Sequence, residues 1–262
     1  QCNMLIEIVE LKKEILDWGK TSTDYSRYRS GQPASFYKKL LALGVGRAGQ
    51  KMLDIGTGTG LLARNFAENG CVVSGVDISD SQIAVAKELA GRNNLKIDFR
   101  VSNVEKMPFP DNSFDCVVSS NSWQYFNANK VIKEMKRVLK NHGLFVISHF
   151  SWLPRLDEVA RASEELAIKY NPFWKRENWN NSAEIDEMIT SGGVVVPFPD
   201  SNQEKIVLRG MFFYDEEIPF TRSQWRGRFR ASRGIGASLS QGQVEMFDEE
   251  HDELLKIISE EV

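Results

Sequence analysis

This chain is short of the residues that metal centres, disulfide scaffolds and membrane spans require. Its 262 residues include three cysteines and three histidines. Cys2, Cys71 and Cys116 form no Cys-x-x-Cys pair, so neither a zinc knuckle nor a redox dithiol is expected. His142, His149 and His251 share no ligand spacing with a cysteine or acid, and no metal site is expected. Cys71 and Cys116 lie in apolar stretches, where a thiol acts as a small filler. A reducing, cytoplasmic setting is the expectation. No apolar run approaches the ~20 residues that cross a bilayer, so no membrane partner is expected. A secretory leader is not expected either, because Glu7 and Glu10 interrupt the first apolar positions and no basic stretch precedes them. An excess of basic charge is also missing. The formal net charge is −3, whereas broad nucleic-acid binding needs a basic surface to displace counterions. Internal repeats and low-complexity linkers are absent. What is present is a chain 42% hydrophobic, long enough for one α/β domain with an insertion or a small second lobe.

One stretch organises the rest: Lys51-Met52-Leu53-Asp54-Ile55-Gly56-Thr57-Gly58-Thr59-Gly60. It reads as an apolar strand, a glycine-rich turn, and a helix opening at Leu61. Gly56 and Gly58 lack a Cβ, so the turn can adopt unusual dihedrals and let a ligand lie against bare backbone. Strand, turn and helix in this order build the cofactor crevice of doubly wound α/β folds. A nicotinamide site would want Gly-x-Gly-x-x-Gly, but Leu61 stands where the third glycine belongs. A second apolar strand, Cys71 to Val76, ends in Asp77. An acid at that tip accepts hydrogen bonds from ribose hydroxyls. The competing role is helix capping, yet Ser79-Asp80-Ser81-Gln82 already supplies a capping box.

Strands are expected near 51–55, 72–76, 96–101, 114–119 and 143–149. Helices are expected near 60–69, 79–91 and 128–140. The βαβα rhythm predicts an α/β fold with a doubly wound, mostly parallel sheet. Right-handed crossovers then bring Gly56, Asp77, Asn103, Ser120 and His149 to one edge.

Several of these motifs, in this order, resemble the class I S-adenosylmethionine-dependent methyltransferases. The likeness is to the type 11 small-molecule group that includes trans-aconitate-type enzymes. It covers residues 23–150 well and the remainder loosely. Asp54 to Gly60 resembles the first motif and Asp77 the ribose-binding acid. Asn103-Val104-Glu105-Lys106-Met107-Pro108-Phe109 is similar to the segment beside the adenine, with Asn103 where the family has Asp. An Asn oxygen accepts a hydrogen bond without charge. Phe114 to Ser120 is similar to the family's fourth strand. Arg137-Val138-Leu139-Lys140 and Gly143-Leu144-Phe145 are similar to its next helix and strand. The resemblance implies S-adenosyl-L-methionine as cofactor, held by Tyr28, Arg29, Asp54, Gly56, Thr57, Gly58, Asp77, Ile78, Asn103, Val104, Ser119 and Ser120. Tyr28 and Arg29 belong to a leading segment, Thr23 to Pro33, that in the family folds over the methionine end; a plain polar linker is the alternative. Gln124 and Tyr125 replace the family's His-Trp, so a histidine base is missing there. His149, Tyr125 and Arg230 are the candidate catalytic residues. His149 sits at the ligand edge, and a structural histidine is its competing role.

The expected domains are a helical leading segment (1–48), the cofactor-binding core (49–150), a helical substrate cap (151–204), and a strand with helices that complete the sheet and pocket (205–262). Residues 4–18 are expected as an amphipathic helix, with a strand at 5–9 as the alternative. Leu156, Val159, Ala160, Ser163, Leu166, Ala167 and Tyr170 recur at helical spacing. Trp152, Trp174 and Trp179 either wall an apolar pocket or join the cap to the core. Lys205 to Tyr214 is expected as a sixth strand, and no seventh is found. Thr221-Arg222-Ser223-Gln224 is a capping box for a helix over about 222–233. Its Arg222, Arg226, Arg230 and Arg233 form either a solvated basic face or an anion clamp. A last helix is expected from about Ser240. The expected function is methyl transfer to an oxygen or carboxylate, or a nitrogen, of a small-molecule acceptor. A tRNA or other nucleic-acid methyltransferase, and a silent cofactor-binding protein, are the alternatives; oligomeric state is open.

Overall fold

The structure, a computed structural model, describes Asp24, Arg27, Tyr28, residues 31–174, Val207 and residues 209–258. The expected helix at 4–18, Arg29 and Trp179 lie outside the described residues. Along the chain come α1 (Ala34–Ala42), β1 (Lys51–Ile55), α2 (Leu61–Glu68), β2 (Val72–Asp77), α3 (Asp80–Arg92), β3 (Asp98–Val101) and β4 (Phe114–Ser120). A single 3-10 turn, Trp123–Tyr125, then leads to α4 (Ala128–Val138), β5 (Leu139–Ser148), α5 (Glu158–Tyr170), α6 (Arg222–Arg230) and α7 (Gln241–Ile258).

The five described strands form one sheet in the order β3-β2-β1-β4-β5, every pair parallel. Strand side chains alternate, and both faces are covered. Met52, Val73, Cys116 and Val118 face α1, α2 and α3 through Leu40, Leu62, Phe66, Ile83 and Ala86. Leu53, Ile55, Val76 and Val117 face α4 through Val131, Ile132, Met135 and Val138. Residues on both faces reach 0–3% exposure, which is why the strands read as nearly unbroken apolar runs. Strand order reverses between β1 and β4, and ligands bind in the crevice at such a reversal, beyond the strand C-termini.

Three expectations change. α4 stops at Val138 and β5 starts at Leu139, not near 143. The extra residues are absorbed by a register shift opposite Phe114 and Cys116, with His142 at φ 61. The junction between the helix expected at 128–140 and the strand expected at 143–149 is therefore an irregularity inside β5. Among the described residues the sixth strand is not formed: Val207 and residues 209–220 have no regular structure, and Val207, Phe212 and Phe213 are exposed. This stretch directs its polar side chains to α1 instead. Ser35 Oγ donates to Tyr214 Oη at 3.3 Å and also contacts Glu216, while Lys39 Nζ stands 4.3 Å from the Tyr214 ring centre. The basic face of α6 is neither solvated nor an open clamp. Arg226 pairs with Asp248 (2.5 Å) and Asp252 (2.7 Å), and Arg230 with Asp248 (2.5 Å) and Asp24 (3.0 Å). The acids of α7, together with Asp24, have taken it up.

α5, α6 and α7 enclose a separate apolar cluster around Phe229, Phe247, Leu166 and Ile235. Trp152 and Trp225 lie against Phe229 at 4.9 and 5.3 Å between ring centres, so Trp152 joins this cluster. His251 is fully buried within it. Ser163 Oγ donates to Val159 O (2.7 Å) and receives Trp225 Nε1–H (2.9 Å). With its one proton already donated, it accepts from His251 Nε2 at 2.9 Å. That assignment leaves Nδ1 as a bare lone pair, and it has no partner. Burial, against a counteracting Asp248, pushes the imidazole down from 6.5 to about 4. The folded state thus favours the neutral ring, and the stability it contributes is present above pH 6.5 and lost as pH falls toward 4. Urea unfolding at pH 7.5 and 4.5 should show a loss larger by about 2.5 kcal/mol in the wild type than in His251→Asn.

Candidate active site

β1 releases the chain at Gly56, which sits at φ 68. The turn leaves no alternative to glycine. A Cβ there would come within 2.5 Å of Ser122 Cβ and 3.0 Å of the Phe126 ring. The sequence points to a ligand against this bare backbone; in the structure the loop after β4 also packs directly on it. Ser122 Oγ donates to Ile55 O (3.0 Å) and bonds Ser119 Oγ (2.9 Å), locking that loop to the end of β1. Thr57 extends the ladder by donating its N–H to Val76 O (2.9 Å).

Gly58, at φ 55, then turns its N–H to Asp77 Oδ2 at 2.9 Å. Asp77 Oδ1 accepts the Ser79 N–H at 2.9 Å. The acid at the tip of β2 thereby bridges the glycine turn to the start of α3. Ser79 caps that helix by accepting the Gln82 N–H at 3.4 Å, so Asp77 is not needed as the cap. Burial raises the Asp77 carboxyl above its usual range, while the N–H groups of Ser79, Gly58 and Ile78 pull it back down. Beside it Ile78 is 75% exposed, an apolar side chain left at the rim.

Asp54 lies beneath the turn, 2% exposed, and accepts Thr57 Oγ1–H at 2.7 Å. Burial drives its carboxyl from 3.8 up to about 7; the Thr57 bond opposes this and the nearby Asp77 charge adds to it. Asp54 braces the loop from inside rather than facing the crevice.

The loop after β3 carries Asn103 and Val104. Asn103 Oδ1 accepts the Glu105 N–H at 2.8 Å, so it also starts a turn. Val104 is buried against Val76 and Met107. Arg137 holds this loop from α4 with all of its guanidinium N–H groups. Nη1 donates to Phe109 O (2.7 Å) and Asp111 (2.8 Å), Nη2 to Met107 O (3.0 Å) and Glu134 (2.6 Å), and Nε to Glu134 (2.9 Å). Glu134 returns the bond by accepting the Met107 N–H at 2.6 Å. At the end of β4, Ser120 Oγ accepts from Gln32 Nε2 at 2.5 Å, so the leading segment reaches the rim. Asn121 clamps the next strand's exit: its Nδ2 donates to Phe150 O (3.0 Å) and its Oδ1 accepts Phe150 N–H (2.7 Å). Gln32, Asn121 and Ser122 carry no motif of their own in the sequence; polar types at a strand end are the available signal.

The expected catalytic residues divide. His149 is exposed, one residue past β5 and flanked by the Asn121–Phe150 clamp. Tyr125 is 42% exposed on the turn after β4, whereas Trp123 is buried in the core at 7%. Gln124 Nε2 donates to Asn121 O at 3.2 Å. Arg230 is drawn away into its pairs with Asp24 and Asp248, with its Cζ 5.3 Å from the Tyr28 ring centre.

Asp54, Gly56, Thr57, Gly58, Asp77 and Ile78 are brought together, with Ser119 joined through Ser122. A strand-tip carboxylate, one glycine turn and an exposed apolar side chain at the rim suit the hydroxyls, sugar and base of a nucleoside. Among the described residues no cluster of metal-ligating side chains exists, and no helix is long and apolar enough to cross a membrane.

Residues 53–147 match a family model described as a methyltransferase domain. The ubiquinone biosynthesis O-methyltransferase of Bradyrhizobium sp. (strain ORS 278) is 30% identical over 176 residues, 53% of this chain and 68% of that enzyme. The ubiquinone/menaquinone biosynthesis C-methyltransferase UbiE of Serratia proteamaculans is 35% identical over 133 residues, 48% of this chain and 52% of that one. A solved structure from Methanococcus maripaludis, described as an S-adenosyl-L-methionine-dependent methyltransferase, aligns with a TM-score of 0.50 at 22% identity. It covers 71% of this chain and 89% of that one, and speaks to the fold alone.

The raised Asp54 carboxyl has a measurable consequence. Its folded value, about 7, lies above its ordinary 3.8, so stability is lost as pH rises through that window. Asp54→Asn keeps an acceptor for Thr57 and removes the buried charge. It should unfold at higher urea than the wild type at pH 8, by about 2–4 kcal/mol, with the gain shrinking toward zero at pH 4.

Proposed function

This chain belongs to the class I, S-adenosylmethionine-dependent methyltransferases of type 11, and from that premise we propose that it methylates an oxygen or carboxylate nucleophile of a small molecule. Its cofactor is S-adenosyl-L-methionine, which supplies a methyl group on a cationic sulfur. The observation that carries the site assignment is the Asp77 carboxylate at the β2 tip, oriented by the Gly58 N–H at 2.9 Å.

In this reading Asp77 accepts from the ribose hydroxyls, Ile78 flanks the base, Val104 offers its backbone N–H to the ring and Asn103 stands at the ring's edge. Gly56, Thr57 and Gly58 present backbone to the nucleoside, with Asp54 bracing them. Ser119 and Ser120 line the side toward β4, and Tyr28 and Arg29 belong at the methionine end. The protein contributes placement: fixing the acceptor in line with the reacting group accounts for about 7–11 kcal/mol of a barrier. Gln124 has no titratable proton to exchange; His149 and Tyr125, both exposed, carry groups that can exchange one. A carboxylate acceptor is already ionised at pH 7 and needs no base, which favours it. The helices α5 to α7 are proposed as the acceptor-side cap. Likeness to trans-aconitate-type enzymes stays at the level of sequence.

A carbon nucleophile is the second reading, favoured by the 35% identity to a C-methyltransferase. The test uses S-adenosylmethionine tritiated in its methyl group, offered with fractionated small-molecule metabolites and, separately, with total tRNA. Label should enter the small-molecule pool. Its release as volatile methanol by mild base marks a carboxyl ester; retention marks an ether or a C-methyl product. Label in tRNA alone, or in neither pool, contradicts the proposal.

A further inference from the structure

α6 carries a glycine at its centre, Gly227, where glycine is a poor helix former. Its reason is visible in space and not in the helix. A Cβ on Gly227 would collide with the Tyr28 ring, whose Cγ, Cδ1 and Cδ2 would be its nearest neighbours. All of residues 49–150, the expected core, and 151–204 beyond it lie between Tyr28 and Gly227 in sequence. Its ring is also covered by cations, Arg230 Cζ at 5.3 Å and Arg27 Cζ at 5.2 Å from its centre. Earlier in the same segment, Asp24 takes the Arg230 Nε–H at 3.0 Å. Arg230 in turn is held by Asp248 of α7 at 2.5 Å. Both members of the Asp24–Arg230 pair are largely covered, with side chains 33% and 19% exposed.

We propose that Gly227 and Arg230 form a seat on α6 that positions the leading segment through Tyr28 and Asp24, making them positioning residues for the cofactor site. Gly227 provides a flat surface for the ring, and Arg230 bolts the segment by its carboxylate. Arg230 is thereby assigned to holding the protein's own acid instead of an acceptor's anion. The arrangement links the acceptor-side helices to the segment that also reaches the rim through Gln32 and Ser120. The effect on cofactor affinity rests on the reading that Tyr28 belongs at the methionine end; the seat itself does not.

Hydrogen exchange of the peptide spanning residues 24–28, in ligand-free protein, tests the seat. Gly227→Ala should accelerate that exchange by about tenfold or more, and so should Asp24→Asn, which leaves the helix untouched. Alanine is the better helix former, so Gly227→Ala should raise the melting temperature once the ring is removed in a Tyr28→Ala background, but not in the presence of Tyr28. Calorimetry with S-adenosylmethionine should show at least fivefold weaker binding by Gly227→Ala. Unchanged exchange at 24–28, together with a higher melting temperature in the single variant, overturns the seat. Accelerated exchange with unchanged affinity supports the seat and rejects Tyr28 as a cofactor contact. No binding even by the wild type rejects the site reading without touching the seat.

Discussion

One carboxylate joins the two halves of the crevice. Asp77 ends β2 and accepts N–H groups from Gly58, beyond β1, and Ser79, at the cap of α3. Both donors lie in different loops, so their relative position is fixed by the parallel pairing of β1 with β2, which aligns Ile55 with Val76. A slip of one residue would turn Asp77 to the wrong face of the sheet and leave the glycine turn without its acceptor. The site therefore inherits its precision from the sheet's register, and the register from two buried apolar faces.

Stability and function pull apart at this edge. Below the turn Asp54 keeps a buried carboxyl whose ionisation the fold opposes. The same carboxyl is the acceptor that holds Thr57 in place. In the distal cluster the opposite choice has been made: His251 is kept neutral among Phe229, Phe247 and Ser163. Both groups make the molecule pH-sensitive, in opposite directions, one beneath the glycine turn and one in the packing of the C-terminal helices. Charged pairs serve elsewhere as fasteners. Arg137 ties α4 to the loop after β3, and Arg230 ties α6 to the leading segment.

Local patterns in the sequence were enough to read the sheet. Nearly unbroken apolar runs at 51–55 and 72–76, glycines at 56 and 58, and an acid at 77 each follow from backbone geometry and burial, and neighbours in sequence carry the signal. Caps at Ser79 and Thr221 were legible for the same reason. Long-range partners were not. Nothing near Arg230 in the sequence announces Asp24, and nothing in α6 explains Gly227 until the Tyr28 ring is placed on it. The stretch from Lys205 to Tyr214 has the composition of a strand, but composition does not supply a neighbouring strand to pair with, and its described part binds α1 through polar tips. The continuation of β5 back to Leu139 was hidden by a register shift that only the pairing with β4 reveals. Family resemblance nominated the cofactor residues; in the structure Asp77 stands at the strand tip beside the glycine turn, and Asp54 is buried beneath it.

The central claim is that Asp77, held by Gly58, binds the nucleoside of the methyl donor. Calorimetric titration of S-adenosylmethionine into wild type and Asp77→Ala measures it most directly, with the unfolding midpoint of each recorded alongside. The account predicts binding at least tenfold weaker in a variant that still folds. Equal affinity in the two proteins would contradict it.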